Sequence, residues 1–274
     1  MPFRVDACVA QHLGDRVEQQ DRLAIFPHPK ISGLLMAVLA DGMGGHSGGA
    51  IAAEQVIHKA RQIFSEFSPR SEPARNMLTA VLDESHLAIK LSRFTSEQDP
   101  HTTAALLLLQ PGRVDWAHCG DSRIYHFRRE KLSSRTSDHS YVAELQRQGK
   151  ISAQQALNHP QRNVLLHCLG GDRDPRLDFG ETAPLDTDDV FLMCSDGLWG
   201  HFSDPELGGV LALHSPRRAA EILIERARGR AGGQGDNISV AIVKLAQEKT
   251  DEAAAQPSSF ARGHAAFSPE RTRR

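Results

Sequence analysis

Apolar residues recur along this chain in two rhythms. Short runs dominate the first and last thirds. Phe3-Arg4-Val5-Asp6-Ala7-Cys8-Val9 alternates as a half-buried strand does. Arg22–Phe26 and Leu34–Ala40 follow, separated by the turn-rich Pro27-His28-Pro29-Lys30. Helical spacing then takes over: Val56, Ile57, Ala60, Ile63, Phe64 and Phe67 share one face, as do Met77, Leu78, Val81, Leu82, Ala88 and Ile89. Thr103–Leu109, Arg113–Cys119 and Arg123–Phe127, the first two joined by Pro111-Gly112, predict an antiparallel meander. Thr136–Asn163 is polar, with short helical pieces and no core stripe, and reads as an excursion over the surface. Asp189–Cys194, a helix around Pro216–Ala227, and Ile238–Leu245 close the pattern. Hairpin-rich strands with segregated helices predict an α+β domain built on antiparallel sheets. After about residue 247 no apolar face can be drawn, so the expected organisation is a domain over 1–247 and a disordered tail over 248–274.

Composition narrows the classes open to such a domain. At 274 residues the chain can bury a sizeable single core. Its 32 basic and 34 acidic residues leave a net charge of −2, which excludes a global attraction to nucleic acid or anionic membrane. No apolar run approaches the roughly 20 residues that span a bilayer, and the N-terminus lacks a secretory pattern. Cys8, Cys119, Cys168 and Cys194 form no Cys-x-x-Cys pair and are expected to stay reduced, in a cytoplasmic protein.

Four aspartates change this picture. Asp41, Asp121, Asp196 and Asp236 each sit beside a glycine or a glycine-containing turn at the end of an apolar run. A carboxylate at a strand mouth keeps its charge partly in water, and glycine lets backbone and solvent approach. Taken singly, each could be an ordinary turn. Four of them in separate regions point to a metal cage, and oxygen ligands without a Cys/His cluster suit magnesium or manganese. There is no P-loop, no Gly-x-Gly-x-x-Gly after a strand, and no Gly-x-Ser-x-Gly elbow. Carboxylate-bound metals acting on water then fit hydrolysis of a phosphate ester.

The motif order resembles type 2C metal-dependent serine/threonine protein phosphatases, the PPM family. It is carried by Arg16-Val17-Glu18-Gln19-Gln20-Asp21, Asp41-Gly42-Met43-Gly44-Gly45, Gly120-Asp121-Ser122-Arg123, Ser195-Asp196-Gly197-Leu198-Trp199 and Gly235-Asp236-Asn237. Thr136-Ser137-Asp138-His139-Ser140, Asn158–Asn163 and Leu169-Gly170-Gly171 are similar to the bacterial branch. The resemblance implies a four-layer α-β-β-α sandwich, two antiparallel sheets flanked by helices, with two tight Mn2+ or Mg2+ ions between the sheets. Asp41 would bridge the ions and Gly42 would offer its carbonyl. Asp196 and Asp236 would hold one ion, and Asp121 a third, weaker one together with Asp196. Arg16 would grip the substrate phosphate and Asp21 would orient the attacking water. Phosphorylated proteins as substrates, a cognate serine/threonine kinase and a monomeric state follow from the same resemblance, with Thr136–Asn163 as a flap that selects substrate.

Two positions depart from the eukaryotic pattern. Gln20 stands where a metal-binding glutamate is often found, and Met43 where a histidine acts as general acid. His46 lies close by but has no feature beyond a glycine-rich loop. These departures leave open a catalytically weak, phosphoprotein-binding regulator on the same fold; the complete aspartate set argues for the enzyme. A metal-dependent nuclease is disfavoured by the lack of a dense basic stripe. His118, His126, His139, Thr102 and Thr103 are expected to be structural, Trp199 to be core packing, and Ser122 and Arg123 to brace the Asp121 turn.

Overall fold

The computed structural model describes residues 3–44, 48–93 and 98–247. Over these, the elements in order are β1 (Phe3–His12), β2 (Arg22–Pro27), β3 (Leu35–Ala40), β4 (Gly42–Met43), α1 (Gly48–Glu66), α2 (Ala74–Ser92), β5 (His101–Thr102), β6 (Ala104–Gln110) and β7 (Arg113–Cys119). The second half runs β8 (Arg123–Arg128), β9 (Lys131–Arg135), α3 (Tyr141–Arg147), α4 (Ala153–Leu157), β10 (Asp178–Thr182), β11 (Asp189–Cys194), α5 (Asp196–Trp199), α6 (Asp204–Leu213), α7 (Pro216–Ala231) and β12 (Ile238–Gln247). Among the described residues the strands form two five-stranded sheets, ordered β1-β12-β11-β8-β9 and β10-β7-β6-β3-β2, plus a β4-β5 ladder. The pairings within them are antiparallel.

The apolar runs without alternation are explained by burial on both faces. Along β3 and β6, Met36, Val38, Ala40, Ala104, Leu106 and Leu108 pack with Val56, Phe64, Met77 and Leu82 of α1 and α2. Their neighbours Ala37, Leu39, Ala105, Leu107 and Leu109 turn the other way, against Phe191, Met193, Ala241 and Val243 of the second sheet. That sheet's opposite face, with Val190, Leu192, Val240 and Ile242, meets Leu207, Leu211, Ala219 and Leu223 of α6 and α7. Period-two side-chain alternation therefore builds three apolar layers, and the expected α-β-β-α sandwich is what forms. Ser215 caps α7 by accepting from the Arg218 amide, Pro216 fills its first turn, and Gly232 ends it at φ 61°.

The meander expected over Thr103–Phe127 needs a correction. β6 and β7 pair as a hairpin, but β8 leaves that sheet and joins β11 and β9 in the other. The three residues Gly120-Asp121-Ser122 are thus a crossing between sheets, and Asp121 sits at their shared end. The polar stretch 136–163 does carry only short helices, α3 and α4. Strands β9 and β10 and helix α6 were not anticipated; β9 is largely exposed and has no apolar pattern to announce it.

Candidate active site

Strand pairing brings the aspartates together. Ala40 at the end of β3 lies opposite Arg22 at the start of β2, and Cys119 at the end of β7 opposite Ala104. In the other sheet Cys194 ends β11 opposite Arg123, and Ile238 begins β12 opposite His12. Because Gly120-Asp121-Ser122 joins the sheets directly, all these ends share one side of the sandwich. Asp21, Asp41, Asp121, Asp196 and Asp236 each stand one to two residues beyond them.

The carboxylates act on one another. Burial, and then the charges of Asp21, Asp196, Asp121 and Asp236, hold the Asp41 carboxyl well above the usual range. Burial, with Asp121, Asp236 and Asp21, does the same to Asp196. Burial and Asp138 raise Asp121 to about 7, with Arg123 opposing. Asp21, only 1% exposed, is raised by burial although the Ser195 hydroxyl donates to its Oδ2 at 2.9 Å. Like charges held this close ionise together only if cations neutralise them. Hard carboxylate oxygens in that number suit Mg2+ or Mn2+, so the residues present fit the metal pair expected from the sequence.

Backbone contacts set each acid in place. The Asp41 amide donates to Thr103 Oγ1 at 3.0 Å, while the Thr103 amide and the Thr102 hydroxyl both donate to the Asp41 carbonyl at 2.9 Å. Thr103 Oγ1 also meets Ser122 Oγ at 2.7 Å, which links the Asp41 and Asp121 turns. Thr102 and Thr103, expected to be merely structural, thus brace two candidate metal ligands. Gly42 is required by close approach: a Cβ there would lie 2.1 Å from the Gly49 carbonyl oxygen and 2.7 Å from that of Gln20. Gly120 has φ 106°, and a Cβ would strike Thr103 at 2.6 Å.

Arg16 lies on the β1–β2 loop, which is tied to the Asp236 turn. Asp15 accepts from the Gly235 amide at 2.6 Å, and Asn237 Nδ2 donates to the carbonyls of Leu13 and Glu18 at 2.9 and 3.1 Å. Asn237 Oδ1 accepts from the Gln20 amide at 2.8 Å. Arg16 itself donates to Asp236 Oδ2 at 2.6 Å, with its side chain 59% exposed. The resemblance assigns these two residues to phosphate and metal, and in the structure they touch each other. Met43 pairs with His101 across the β4-β5 ladder, and His46 lies outside the described residues.

Trp199 does more than fill the core. Its Nε1 donates to the Asp121 carbonyl at 2.9 Å, and its ring carries the Arg123 guanidinium 3.5 Å from the centroid. Arg123 in turn holds Asp138 through two hydrogen bonds of 2.8 and 2.7 Å, and so braces the turn as expected. Trp199→Phe should keep the ring and lose about 1 kcal/mol with the hydrogen bond, lowering Tm by roughly 2–4 °C. Calorimetric melting checks this, and an unchanged Tm would return Trp199 to simple packing.

Comparison with known proteins agrees with this geometry. Residues 10–228 match the Protein phosphatase 2C family. A serine/threonine phosphatase stp from Listeria welshimeri is 33% identical over 215 residues, covering 76% of this chain and 84% of that protein. The S. agalactiae serine/threonine phosphatase structure superposes with a TM-score of 0.80 at 29% identity, covering 88% of this chain and 99% of the other. The catalytic domain of the phosphatase PstP, solved in complex with two manganese ions, gives 0.71 at 27% identity over 89% of this chain and 98% of that one. The chain belongs to the protein phosphatase 2C family.

Proposed function

We propose that the chain hydrolyses phosphoserine and phosphothreonine esters of proteins, with Mn2+ or Mg2+ held by the aspartate cluster. The observation that carries this is the convergence of five mutually repelling carboxylates at one end of a phosphatase 2C sandwich. Two cations bound there would supply the charge that acidifies water and stabilises the oxygens of an in-line displacement. Asp41 and the Gly42 carbonyl would be among the groups that hold these cations. Asp196 and Asp236 would hold the tight ions with Asp41, and Asp121 together with Asp196 would hold a weaker third one.

The chain's own groups bind and orient the substrate. Arg16 leaves Asp236 for the phosphate; a guanidinium has five donors in a fixed fork, and the Asp236 contact uses one terminal nitrogen. Asp21, oriented by Ser195, orients the attacking water and takes up its proton. The flap over 136–163 lies beside the Asp121 turn and selects among phosphoproteins. No described helix is long and apolar enough to cross a membrane. The four cysteines are free, in keeping with a reducing, cytoplasmic compartment; a monomeric state and an opposing serine/threonine kinase are proposed from the family resemblance.

Manganese-dependent phosphate release from p-nitrophenyl phosphate and from a phosphothreonine peptide tests the reading. Turnover that stops with EDTA is expected; phosphopeptide binding without release would instead identify a regulator. The domain boundary is proposed at residue 247. Truncation there should move Tm by no more than about a degree or two, as for a segment with few native contacts, and should preserve turnover of the aryl phosphate. A large loss of Tm would mean that Phe260 or Phe267 docks on the domain.

A further inference from the structure

His139 occupies a junction outside the proposed phosphate and metal contacts. The segment 136–140 lies along the Asp121 crossing and exchanges hydrogen bonds with it residue by residue. The Thr136 amide donates to the Ile124 carbonyl at 3.0 Å, and the Ile124 amide to Thr136 Oγ1 at 3.1 Å. Asp138 grips Arg123. His139 then closes on Gly120 in both directions: its amide donates to the Gly120 carbonyl at 2.9 Å, and its Nδ1 accepts from the Gly120 amide at 3.2 Å. The His139 carbonyl accepts from the Leu166 amide at 2.8 Å, and Ser140 bridges Leu165. The loop that carries α3 and α4 is therefore closed by Ser140 and Leu165–Leu166, and His139 joins it to the Asp121 turn.

The surroundings of the ring fix which nitrogen does what. His139 is 4% exposed and stacks on His118, ring centroids 4.6 Å apart. Its Nε2 lies 3.2 Å from Asp178 Oδ2, a carboxylate that Arg176 already holds through two hydrogen bonds. Burial, and then His118, bring the His139 ring down to about 4, so it is neutral in the physiological range. With Nδ1 accepting from Gly120, the ring proton belongs on Nε2, facing Asp178. The side chains of His118, His139 and Asp178 have ligand atoms within 4.8 Å of one another. His139 Nε2 and His118 Nδ1 have no hydrogen-bond partner among the described residues. A cation on His139 Nε2 would nevertheless require the proton on Nδ1, which would break the Gly120 hydrogen bond, and it would compete with Arg176 for Asp178. The cluster is therefore read as a wedge behind Gly120.

We infer that His139 is a positioning residue for the reaction: its Nδ1, by accepting from the Gly120 amide, sets the turn that aims Asp121, and its backbone ties that turn to the flap. Gly120 has φ 106° and packs on Thr103 with no room to spare, so its amide is oriented by the turn. Without an acceptor at Nδ1 this buried amide lacks its partner and the turn relaxes. The inference rests on the assignment of Asp121 to the metal centre.

Isosteric substitutions separate this from a merely structural role. Asparagine places Oδ1 where Nδ1 stands and keeps the Gly120 acceptor; glutamine reaches toward Asp178 and leaves the Gly120 amide unmet. Both should lower Tm. On a phosphoserine peptide at saturating manganese, His139→Asn is expected to retain kcat within about threefold, whereas His139→Gln should lose roughly tenfold or more with KM little changed. In an Asp121→Asn background, His139→Gln should cost almost nothing further, because both changes act on one group. Turnover that tracks Tm in both variants, or losses that multiply in the double variant, would overturn the inference while leaving the phosphatase reading intact. Undiminished turnover in Asp121→Asn alone would overturn both the inference and the place of Asp121 in the metal centre.

Discussion

Asp41→Asn and Asp196→Asn are each expected to lower kcat/KM on a phosphothreonine peptide by about a thousandfold or more. The cause is charge. Each amide takes one negative charge from a cluster whose cations must acidify water, and the lost transition-state stabilisation amounts to several kcal/mol, at roughly 1.4 kcal/mol per tenfold. Folding should not suffer. Burial and the neighbouring acids already push Asp41 and Asp196 upward. Removing one of these charges therefore relieves repulsion in the metal-free protein, and Tm measured in EDTA should hold or rise. Steady-state kinetics beside melting in chelator separates the two effects. Wild-type turnover in both variants would dismiss the cluster as the catalytic centre.

Arg16→Ala should reduce kcat/KM on the same peptide by about ten- to a few-hundredfold, the range for losing charge-assisted hydrogen bonds of roughly 1.5–3 kcal/mol. The structure adds a second expectation. Arg16 stands on Asp236 with both side chains partly exposed, 59% and 37%. Removing the guanidinium frees that carboxylate, so manganese affinity should stay the same or tighten. Arg16→Lys keeps the charge without the fork and should recover part of the rate. Unaltered kinetics in the alanine variant would leave Arg16 as a surface charge.

What could be read from the sequence followed from chemistry written in short spans. Each candidate metal-ligand aspartate borders a strand buried on both faces, so the apolar run announces the strand and the Asp beside glycine announces its mouth. The helix faces that meet a sheet were equally legible, because Val56 to Phe67 and Met77 to Ile89 can bury only one face each; the layering of two sheets followed from the family resemblance. Assignment of strands to sheets was not legible. Gly120-Asp121-Ser122 has the length and composition of a hairpin turn, and nothing local says that β8 departs for the other sheet. The braces were hidden for a related reason. Thr102 and Thr103 look like the polar start of a strand, yet they hold a turn 61 and 62 residues away. Trp199 looks apolar, and only its indole N–H on the Asp121 carbonyl gives it a further task. Asn237 was visible within its motif, but its grip on Leu13 and Glu18 depends on a contact across more than 200 residues. Long-range polar contacts leave no periodic trace, and they are what aim the carboxylates.

The most direct test counts metal and turnover in one sample. Chelator-stripped protein is titrated calorimetrically with Mn2+, and phosphate release from a phosphothreonine peptide is measured at each point. Two tight ions per chain are expected in the wild type, with release rising as they fill. Asp196→Asn should lose tight binding and turnover together. Phosphate release from the stripped enzyme in excess EDTA, or wild-type manganese binding by Asp196→Asn, would contradict a metal-dependent phosphatase centred on these aspartates.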